Sequence, residues 1–525
     1  MKKSILFIFT ACFLLTSSCS DFLDEEHKTK YSSEYVFGTP EGLKLAVNAL
    51  YTLQRYYAND TENATVFALE RGTDLAVTNG GTGNFYGIYD PNYLKPSAGQ
   101  VGFMWRTMYQ IIGKANEIIA AAEDLEDTPS LRATVSEAKC FRAQSYFLLY
   151  RTFDRIWLNI QPTTAENVND PRDFHAASEK EVFDLIYEDL EYAITNLDWV
   201  SDEAGRFTQA AARHMKAKAA LWLKDWDTTL EQVEEIEKSG HFDLIALNEV
   251  FNAGDLNHKE ALMVQQWSKN PGGNLSNATP KGNYYAAYFI AQYRTEIGGT
   301  AEYACSYDNW GYTYGRCLPS PYLFSLYDKA KDKRYQEYYI HQYKNTTDKN
   351  ITYGSATVKP GDYFPLYKNG SINKNVYPGC IKYGDKWTRT ASETRSYKDV
   401  IVYRLAESYI MAALMKNDQT LAKYYFNKTW ERAGNDKFTG VLTMKDIMDE
   451  QARELSFEGD RWYFLKRLGL LIEQVKAYAG DPEIPASILG RNNLPANPHF
   501  VRWPIPEAEV INMGAENFPQ NIGYK

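Results

Sequence analysis

Hydrophobic residues recur every three or four positions over several long stretches of the chain, which is the spacing of amphipathic helices. Ser178 and Glu181 form a capping box that starts one of them. The periodicity predicts helices over residues 40–57, 101–124, 131–153, 178–197, 210–223 and 228–238, and again over 397–415, 419–433 and 445–468. We therefore predict a mainly α fold.

The helical pattern stops in two places. Residues 59–100 contain many glycines and prolines and are expected to form a long loop. Residues 240–398 are rich in Gly, Asn, Thr, Lys and Tyr, and only 321–339 has helical spacing. We expect loops with a few short strands there, packed on the helices. The proline-rich segment 482–506 is expected to be extended along the surface or a groove.

The helices before residue 240 are predicted to pack in pairs. The helix over 210–223 is rich in alanine, which lets two helices approach closely. Helix pairs with small residues at the crossing and aromatic residues beside them resemble tetratricopeptide repeats, although the spacing here is irregular. The expected architecture is a scaffold of tetratricopeptide-like helix pairs (19–239), followed by a region (240–525) with a loop-rich part and further helices.

The N-terminus predicts export. Lys2 and Lys3 precede an apolar run of 11 residues, Ile5 to Leu15, which is too short to span a bilayer and typical of a secretory signal. The small residues before Cys19 resemble a bacterial lipoprotein cleavage site, so residues 1–18 are the predicted signal peptide and Cys19 the lipid anchor. The alternative is ordinary secretion with Cys19 as a thiol. The acidic residues after Cys19 resemble the signal that sends lipoproteins of Bacteroidetes-type bacteria to the outer face of the outer membrane.

Composition narrows the function further. The net charge is −10, and removing a leader that carries Lys2 and Lys3 makes it −12. An acidic chain is not suited to nucleic acid, whose phosphates need a basic surface. The 40 tyrosines and 11 tryptophans instead favour a recognition surface, because their rings are amphipathic.

Enzyme motifs are missing or incomplete. The sequence has no H-E-x-x-H, G-x-S-x-G or Walker loop. The glycines of residues 80–83 lack the Lys-Ser/Thr of a phosphate loop, and the S-x-x-K of residues 136–139 lies inside a predicted helix without its companion motifs. No carboxylate pair stands out, and the seven histidines are scattered. We predict a non-catalytic protein without a cofactor or metal site, although calcium remains undecided.

The cysteines give little information about function. Cys140 lies on an apolar helical face and is expected to be buried. Cys305 and Cys317 could form a disulfide in an oxidising compartment, and the sequence leaves this open.

Two aromatic clusters are the candidate ligand site. Between Tyr284 and Tyr314, ten of 31 residues are aromatic, against 14% overall. A second cluster lies in the early loop. Aromatic rings cover the apolar faces of sugars while amide, carboxylate and guanidinium groups bind the hydroxyls. The alternative is that half or more of these rings pack the loops onto the helices. The predicted ligand-binding residues are Trp310, Tyr86, Tyr89, Asn84, Arg71, Tyr284 and Asn309.

The segment RELSFEGDRWYFLKRLG (453–469) is the most distinctive in the chain. Its apolar residues have helical spacing, and its acidic and basic residues lie three and four apart, where they could pair within one helix. Considered alone, it predicts a partly buried, salt-bridged helix and no chemistry. However, ELSFEGDRW, YRLAESYIMAALM (403–415), WPIPEAEV (503–510), QNIGY (520–524), EAKCFRAQSYFLL (137–149) and GRFTQAAARHMKAKAALWLKDW (205–226) together resemble the SusD/RagB family of cell-surface lipoproteins. The chain departs from that family at 154–158, where Gly-Asp-x-Pro-Leu is expected.

The resemblance implies a scaffold of about four helix pairs and a ligand site built from an early loop and a mid-chain variable region. It implies a glycan-binding lipoprotein that captures oligosaccharides for a SusC-type TonB-dependent outer-membrane transporter, over which it sits as a lid. The alternative is a peptide-capturing lid, as in the RagB branch. The sequence does not identify the glycan or the geometry of the transporter complex.

Overall fold

The computed structural model describes residues 32–59, 69–78, 88–164, 166–270, 282–414, 418–488 and 497–525. The predicted signal peptide and Cys19 lie outside these ranges, as do Asn84 and Tyr86. Among the residues described, no helix combines the length and apolar content needed to cross a bilayer.

The fold is mainly helical, as predicted. The principal helices are α1 (Pro40–Asn59), α2 (Gly99–Ala122), α3 (Pro129–Phe153), α4 (Glu179–Asn196), α5 (Gln209–Leu223), α6 (Trp226–Lys238), α7 (Leu405–Ala413), α8 (Gln419–Arg432), α9 (Met444–Leu455), α10 (Arg461–Arg467), α11 (Leu471–Tyr478) and α12 (Glu507–Met513). Shorter helices cover Ser33–Gly38, Leu247–Val250, Tyr285–Tyr288, Arg294–Ile297, Ala301–Ala304, Pro321–Ser325 and Arg334–Glu337, with 3₁₀ turns at Tyr307–Asn309, Lys374–Val376, Pro485–Ile488 and Pro498–Val501. The predicted capping box is confirmed, since Ser178 and Glu181 satisfy each other's backbone N–H at the start of α4.

The strands are short and form antiparallel pairs: β1 (Ala76–Thr78) with β3 (Cys317–Pro319), β2 (Ala261–Gln265) with β10 (Val400–Arg404), β4 (Tyr339–Ile340) with β9 (Gly379–Cys380), β5 (Ile351–Tyr353) with β6 (Ala356–Val358), and β7 (Tyr367–Lys368) with β8 (Ser371–Ile372). Two helix predictions are corrected here. The predicted helix over 397–415 begins only at Leu405, because the β-branched run before it pairs with β2. The predicted helix over 321–339 is two short helices, Pro321–Ser325 and Arg334–Glu337, because the carboxylates of Asp328 and Asp332 accept the backbone N–H groups of Ala330 and Arg334.

One large hydrophobic core joins helices from both predicted regions. It includes residues of α1–α6, of α7–α11 and of the C-terminal tail. The tail does more than run along a groove, because Phe500, Trp503, Ile505 and Phe518 are fully buried. The amide of Asn521 donates to the carbonyls of Phe153 (2.6 Å) and Trp503 (2.8 Å), which fixes the tail against α3. The similarity of the helix pairs to tetratricopeptide repeats remains a prediction.

The distinctive segment 453–469 is not one helix. α9 ends at Leu455 and α10 starts at Arg461, and the backbone between them has positive φ at Phe457 (65°) and Gly459 (97°). The expected pairing within one helix is also mostly wrong. Only Arg453 pairs locally, with Glu450 at 3.0 Å, whereas Arg461 binds Asp74 at 2.6 Å.

Glu454, a further charged residue of this segment, binds distant arginines. Glu454 accepts hydrogen bonds from Arg334 (2.8 Å), Arg404 (2.7 Å) and Arg432, and all four side chains are at least nine-tenths buried. Burial opposes ionisation of Glu454, but the three guanidinium groups hold its pKa well below the ordinary value. Removing one partner of such a network costs far more than its net contribution to stability. The network therefore fixes the loop-rich part against α8 and α9.

Candidate ligand-binding surface

Partly exposed aromatic residues follow one another along residues 310–316. Trp310, Tyr312, Tyr314 and Arg316 are partly exposed, whereas the residues between them are buried. The backbone of this segment is irregular, with positive φ at Trp310, Gly311 and Gly315, and it leaves every second side chain partly exposed. We call Trp310, Tyr312 and Tyr314, with Trp387 at one end and Tyr284 at the other, the aromatic stripe.

The rings of the stripe form two groups of close neighbours, Trp387 with Trp310 and Tyr312 with Tyr314 and Tyr284. The centroids of Trp387 and Trp310 are 6.3 Å apart, those of Tyr312 and Tyr314 are 5.4 Å apart, and those of Tyr314 and Tyr284 are 6.5 Å apart. Tyr284 also stacks on the buried ring of Tyr288, at 5.8 Å and 15°. These distances lie in the range of favourable aromatic pairs, so the rings support one another before any ligand binds.

Trp310 is oriented by the turn that precedes it. Tyr307–Asn309 form one 3₁₀ turn, and Trp310 follows with a φ of 65°. The side chain of Asn309 is buried and holds this turn, because its amide donates to the carbonyl of Lys344 (2.8 Å) and its oxygen accepts from the Lys344 N–H (2.9 Å). Asn309 is therefore a positioning residue here, and the structure does not support its predicted ligand contact.

The loop that carries Trp387 is fixed by Asp385. Its carboxylate accepts the backbone N–H groups of Trp387 and Thr388, each at 2.9 Å, and the hydroxyls of Thr388 and Ser396. Burial raises the pKa of this carboxyl, but the hydrogen bonds from Thr388, Trp387 and Ser396 outweigh it and lower the pKa below its ordinary value. The indole of Trp387 is consequently held with 42% of the residue exposed.

Arg389 joins the two loops of the stripe. Its buried guanidinium donates to the carbonyls of Trp310 (3.0 Å), Tyr312 (3.2 Å) and Glu393 (2.9 Å). The hydroxyl of Tyr307 donates to the Arg389 carbonyl at 2.8 Å. Trp310 and Trp387 therefore have a defined relative position although they lie 77 residues apart in the sequence.

A cation lies over the ring face of most stripe residues. Lys386 Nζ is 3.9 Å from the ring centroid of Trp310, and the guanidinium carbons of Arg294, Arg316 and Arg395 are 4.1, 5.5 and 4.4 Å from those of Tyr312, Tyr314 and Tyr284. Burial lowers the pKa of Lys386, and nearby Asp308 partly offsets this. The surface thus offers both apolar rings and hydrogen-bond donors.

The remaining predicted residues lie elsewhere or cannot be placed. Tyr89 is only 4% exposed; its hydroxyl donates to the Gly72 carbonyl and accepts from the Trp462 indole N–H at 3.2 Å. It belongs to the core, so the prediction that it binds ligand is corrected. Arg71 is also buried. Its positive charge lowers the pKa of the nearby Tyr288 phenol, but burial has the larger effect and raises that pKa. Asn84 and Tyr86 fall outside the described residues, and their role stays a prediction.

Sequence reasoning missed Trp387. It lies outside the aromatic-rich interval 284–314, in the polar segment GDKWTRT (384–390). The available signal was a single tryptophan among turn-forming and charged residues, where a core role is unusual. Its position beside Trp310 depends on the fold and could not be obtained from spacing.

An interior cavity and the thiols offer less support for a site. A cavity of about 200 Å³ lies beneath β10, but its charged residues pair with one another: Lys218 binds Glu407 (2.5 Å) and Asp460 (3.0 Å), and Arg151 binds Asp460 (3.0 Å). Cys140 is fully buried, as predicted. Cys305 and Cys317 are both buried free thiols rather than a disulfide. Within the described ranges, no cluster of three or more His, Cys, Asp and Glu residues could hold a metal ion.

Comparison with known proteins covers nearly the whole chain. Residues 259–524 match the family model described as "SusD family", and residues 21–221 match one described as "Starch-binding associating with outer membrane". A "SusD-like protein" of Bacteroides ovatus is 25% identical over 88% of this chain and 82% of its own length. "SusD-like protein P2" of Formosa agariphila is 25% identical over the full length of both chains.

Solved structures agree on the fold. A "Laminarin binding SusD-like protein" superposes with a TM-score of 0.68 at 20% identity, over 92% of this chain and 99% of that chain. A SusD homolog from Bacteroides thetaiotaomicron gives 0.73 at 18% identity, over 94% and 99%. "Surface glycan-binding protein A" from Bacteroides fluxus gives 0.69 at 18% identity, over 93% and 100%.

Proposed function

Since the chain belongs to the SusD family, whose members are substrate-binding proteins and not enzymes, we propose that it captures oligosaccharides at the cell surface. In this proposal the protein is a non-catalytic lipoprotein of the outer membrane, anchored through Cys19 and facing the exterior. It passes its ligand to a SusC-type TonB-dependent transporter, for which it acts as a lid. The outer-membrane location is supported by the description of the family model that matches residues 21–221.

The aromatic stripe is the observation that carries the proposal. Sugar rings have apolar C–H faces bordered by hydroxyls. A row of tryptophan and tyrosine rings can cover these faces while neighbouring charged groups and backbone amides bind the hydroxyls. Trp387 and Trp310 present the largest rings, and the hydrogen bonds of Asp385 and Arg389 hold them in place without a ligand. Such preorganisation reduces the entropy that binding would otherwise lose.

Two structural neighbours support carbohydrate as the ligand class. One is titled a laminarin-binding SusD-like protein and the other a surface glycan-binding protein. The rings of the stripe are only partly exposed and lie at the surface, so we expect weak binding, with a dissociation constant around 1 mM, or about −4 kcal/mol. Weak binding suits a protein that must release its ligand to a transporter.

The test is to titrate the purified protein with a panel of oligosaccharides by calorimetry and affinity electrophoresis. Trp387→Ala should weaken binding of any oligosaccharide that binds, by about fivefold or more, because a ring contact of this type contributes about 1 kcal/mol. Tyr363→Ala is the matched control, since Tyr363 is an exposed aromatic residue (55%) outside the stripe. Both variants should unfold at the wild-type temperature.

The proposal fails if no oligosaccharide binds, either to the protein alone or together with its transporter. Binding of peptides in place of sugars would favour the peptide-capturing alternative, because extended peptides need backbone hydrogen bonds and side-chain pockets rather than a row of rings. Turnover of a labelled oligosaccharide by the protein alone would contradict its non-catalytic role.

A further inference from the structure

We infer that the glycan bound by the aromatic stripe is anionic, carrying carboxylate or sulfate groups. This inference rests on the proposed function and specifies the class of its ligand. Its basis is the row of cations, Lys386, Arg294, Arg316 and Arg395, that lies over the stripe rings.

Three of these cations differ from the arginines of the interior. Arg334, Arg404, Arg432 and Arg461 each bind one or more carboxylates at salt-bridge distance. By contrast, within the part of the chain that the structure describes, no carboxylate forms a salt bridge with Arg294, Arg395 or Lys386. The Nε of Arg294 is buried and has no hydrogen-bond partner among those residues. An unsatisfied buried donor is costly, so the guanidinium of Arg294 retains hydrogen-bonding capacity that the described residues do not use.

None of the acidic groups described around the stripe forms a salt bridge with Lys386, Arg294 or Arg395. Asp385 is buried and saturated by four hydrogen bonds. Glu393 accepts from the Thr390 N–H (2.6 Å) and binds Lys269 (3.1 Å). Asp308 is exposed and partly offsets the effect of burial on the pKa of Lys386. The stripe therefore carries three cations without a salt-bridged carboxylate among the described residues, on a chain whose net charge is −10.

The arrangement of cations and rings suits an anionic sugar better than a neutral one. A guanidinium binds a carboxylate or sulfate through two parallel hydrogen bonds, and it can do so while remaining stacked on a tyrosine. A neutral sugar that stacked on a ring face already occupied by a cation would have to displace that cation, which loses a cation–π contact. Repeated negative charges along a polysaccharide would engage several cations of the row together, and such linked contacts reinforce one another.

The test compares charged oligosaccharides with neutral forms of the same chains. Oligogalacturonates and alginate oligosaccharides are titrated beside their carboxyl-reduced forms, and sulfated galactan oligosaccharides beside desulfated ones, in 20 mM and 500 mM NaCl. At least one charged form should bind about tenfold more tightly than its neutral counterpart in low salt. The difference should shrink in high salt, because exposed charges are screened. The carboxylated and sulfated arms show which anion is recognised.

Arg294→Gln and Arg395→Gln should each weaken binding of that charged oligosaccharide about threefold to tenfold, with little effect on its neutral form. Arg132→Gln, on α3, is the matched control, because it removes one positive charge outside the stripe. Thermal unfolding identifies any variant that fails to fold, in which case the other variant and the salt dependence carry the test.

The outcomes separate the two proposals. Equal or tighter binding of the neutral forms would overturn the anionic ligand while leaving oligosaccharide capture intact. Equal weakening by Arg132→Gln would also overturn it, since the effect would then come from overall charge. If no oligosaccharide of either kind binds, oligosaccharide capture itself fails.

Discussion

Glu70 is expected to make the fold less stable at high pH. Its side chain is 1% exposed; Oε1 accepts the Gly459 N–H at 2.6 Å, and Oε2 has no hydrogen-bond partner among the residues that the structure describes. Burial raises the pKa of this carboxyl from 4.5 to about 8, with Asp460 and Glu458 adding to the increase and Gly459 and Lys382 opposing it. At pH 7 the folded protein therefore holds Glu70 in its neutral form.

The sign of the pH dependence follows from this difference. Below pH 4.5 Glu70 is protonated in both states, and its full contribution to stability is present. Between pH 4.5 and about 8 folding takes up a proton, so the free energy of unfolding falls by about 1.4 kcal/mol per pH unit. The whole interval corresponds to at most about 5 kcal/mol, and water reaching the site would reduce this.

Glu70→Gln isolates the effect, because glutamine keeps the acceptor for Gly459 and cannot ionise. Urea unfolding followed by circular dichroism at pH 5, 7 and 9 gives the difference between variant and wild type, in which other titrating groups such as Lys398 cancel. We expect the two to agree within about 0.5 kcal/mol at pH 5 and the variant to be at least about 2 kcal/mol more stable at pH 9. Glu231→Gln, at an exposed position of α6, should show no such change with pH. A difference that is the same at pH 5 and pH 9 would refute the reasoning.

Three further substitutions test the description of the fold and the site. Glu454→Gln should destabilise the protein by about 3–5 kcal/mol in urea unfolding, because it leaves buried guanidinium groups without their carboxylate; a loss below 1 kcal/mol would contradict the network. Gly384→Ala should weaken oligosaccharide binding with little change in melting temperature, since its Cβ would meet the Trp310 ring at 2.3 Å and displace the indole; unchanged binding would show that the position of Trp310 does not matter. Tyr89→Phe should cost about 1–3 kcal/mol of stability, because the Gly72 carbonyl loses its donor, and leave binding unchanged; weaker binding would restore Tyr89 to the site.

The sequence was most informative where structure depends on local patterns. Helical periodicity located the scaffold helices, and the capping box at Ser178 was correct because both of its partners lie within one turn. The segment 453–469 shows the limit of this reasoning. Its charges have ideal spacing for pairing within a helix, yet Glu454 binds arginines that are 22, 50 and 120 residues away. Spacing reveals which charges can meet along a helix but not which distant charges meet in the core.

The candidate site shows the same limit. Aromatic density identified the interval that contains Trp310, but it did not separate rings on the surface from rings such as Tyr89 and Tyr288 in the core. The aromatic residues at 310, 312 and 314 recur with a period of two, and this alternation in the sequence could have marked them as partly exposed neighbours. Trp387 could not be assigned to the stripe in advance, because its position depends on Arg389 bridging two loops.

Arginine stabilises the fold in the interior and is proposed to bind ligand at the stripe. The difference follows from whether carboxylates lie within salt-bridge distance of the guanidinium group. Where Glu454 and its acidic neighbours face the arginines, the charges neutralise one another and hold the loop-rich part against the helices. Lys382 connects this network to the stripe. Its ammonium group donates to the Glu454 carbonyl (2.7 Å), and Gly384, two residues further along the chain, lies against the Trp310 ring. At the stripe, Arg294 and Arg395 have rings beneath them and no carboxylate at salt-bridge distance among the described residues. A rigid frame that places cations without anions leaves their neutralisation to a ligand, which is why the charge of the glycan, rather than its ring shape alone, should decide what this surface binds.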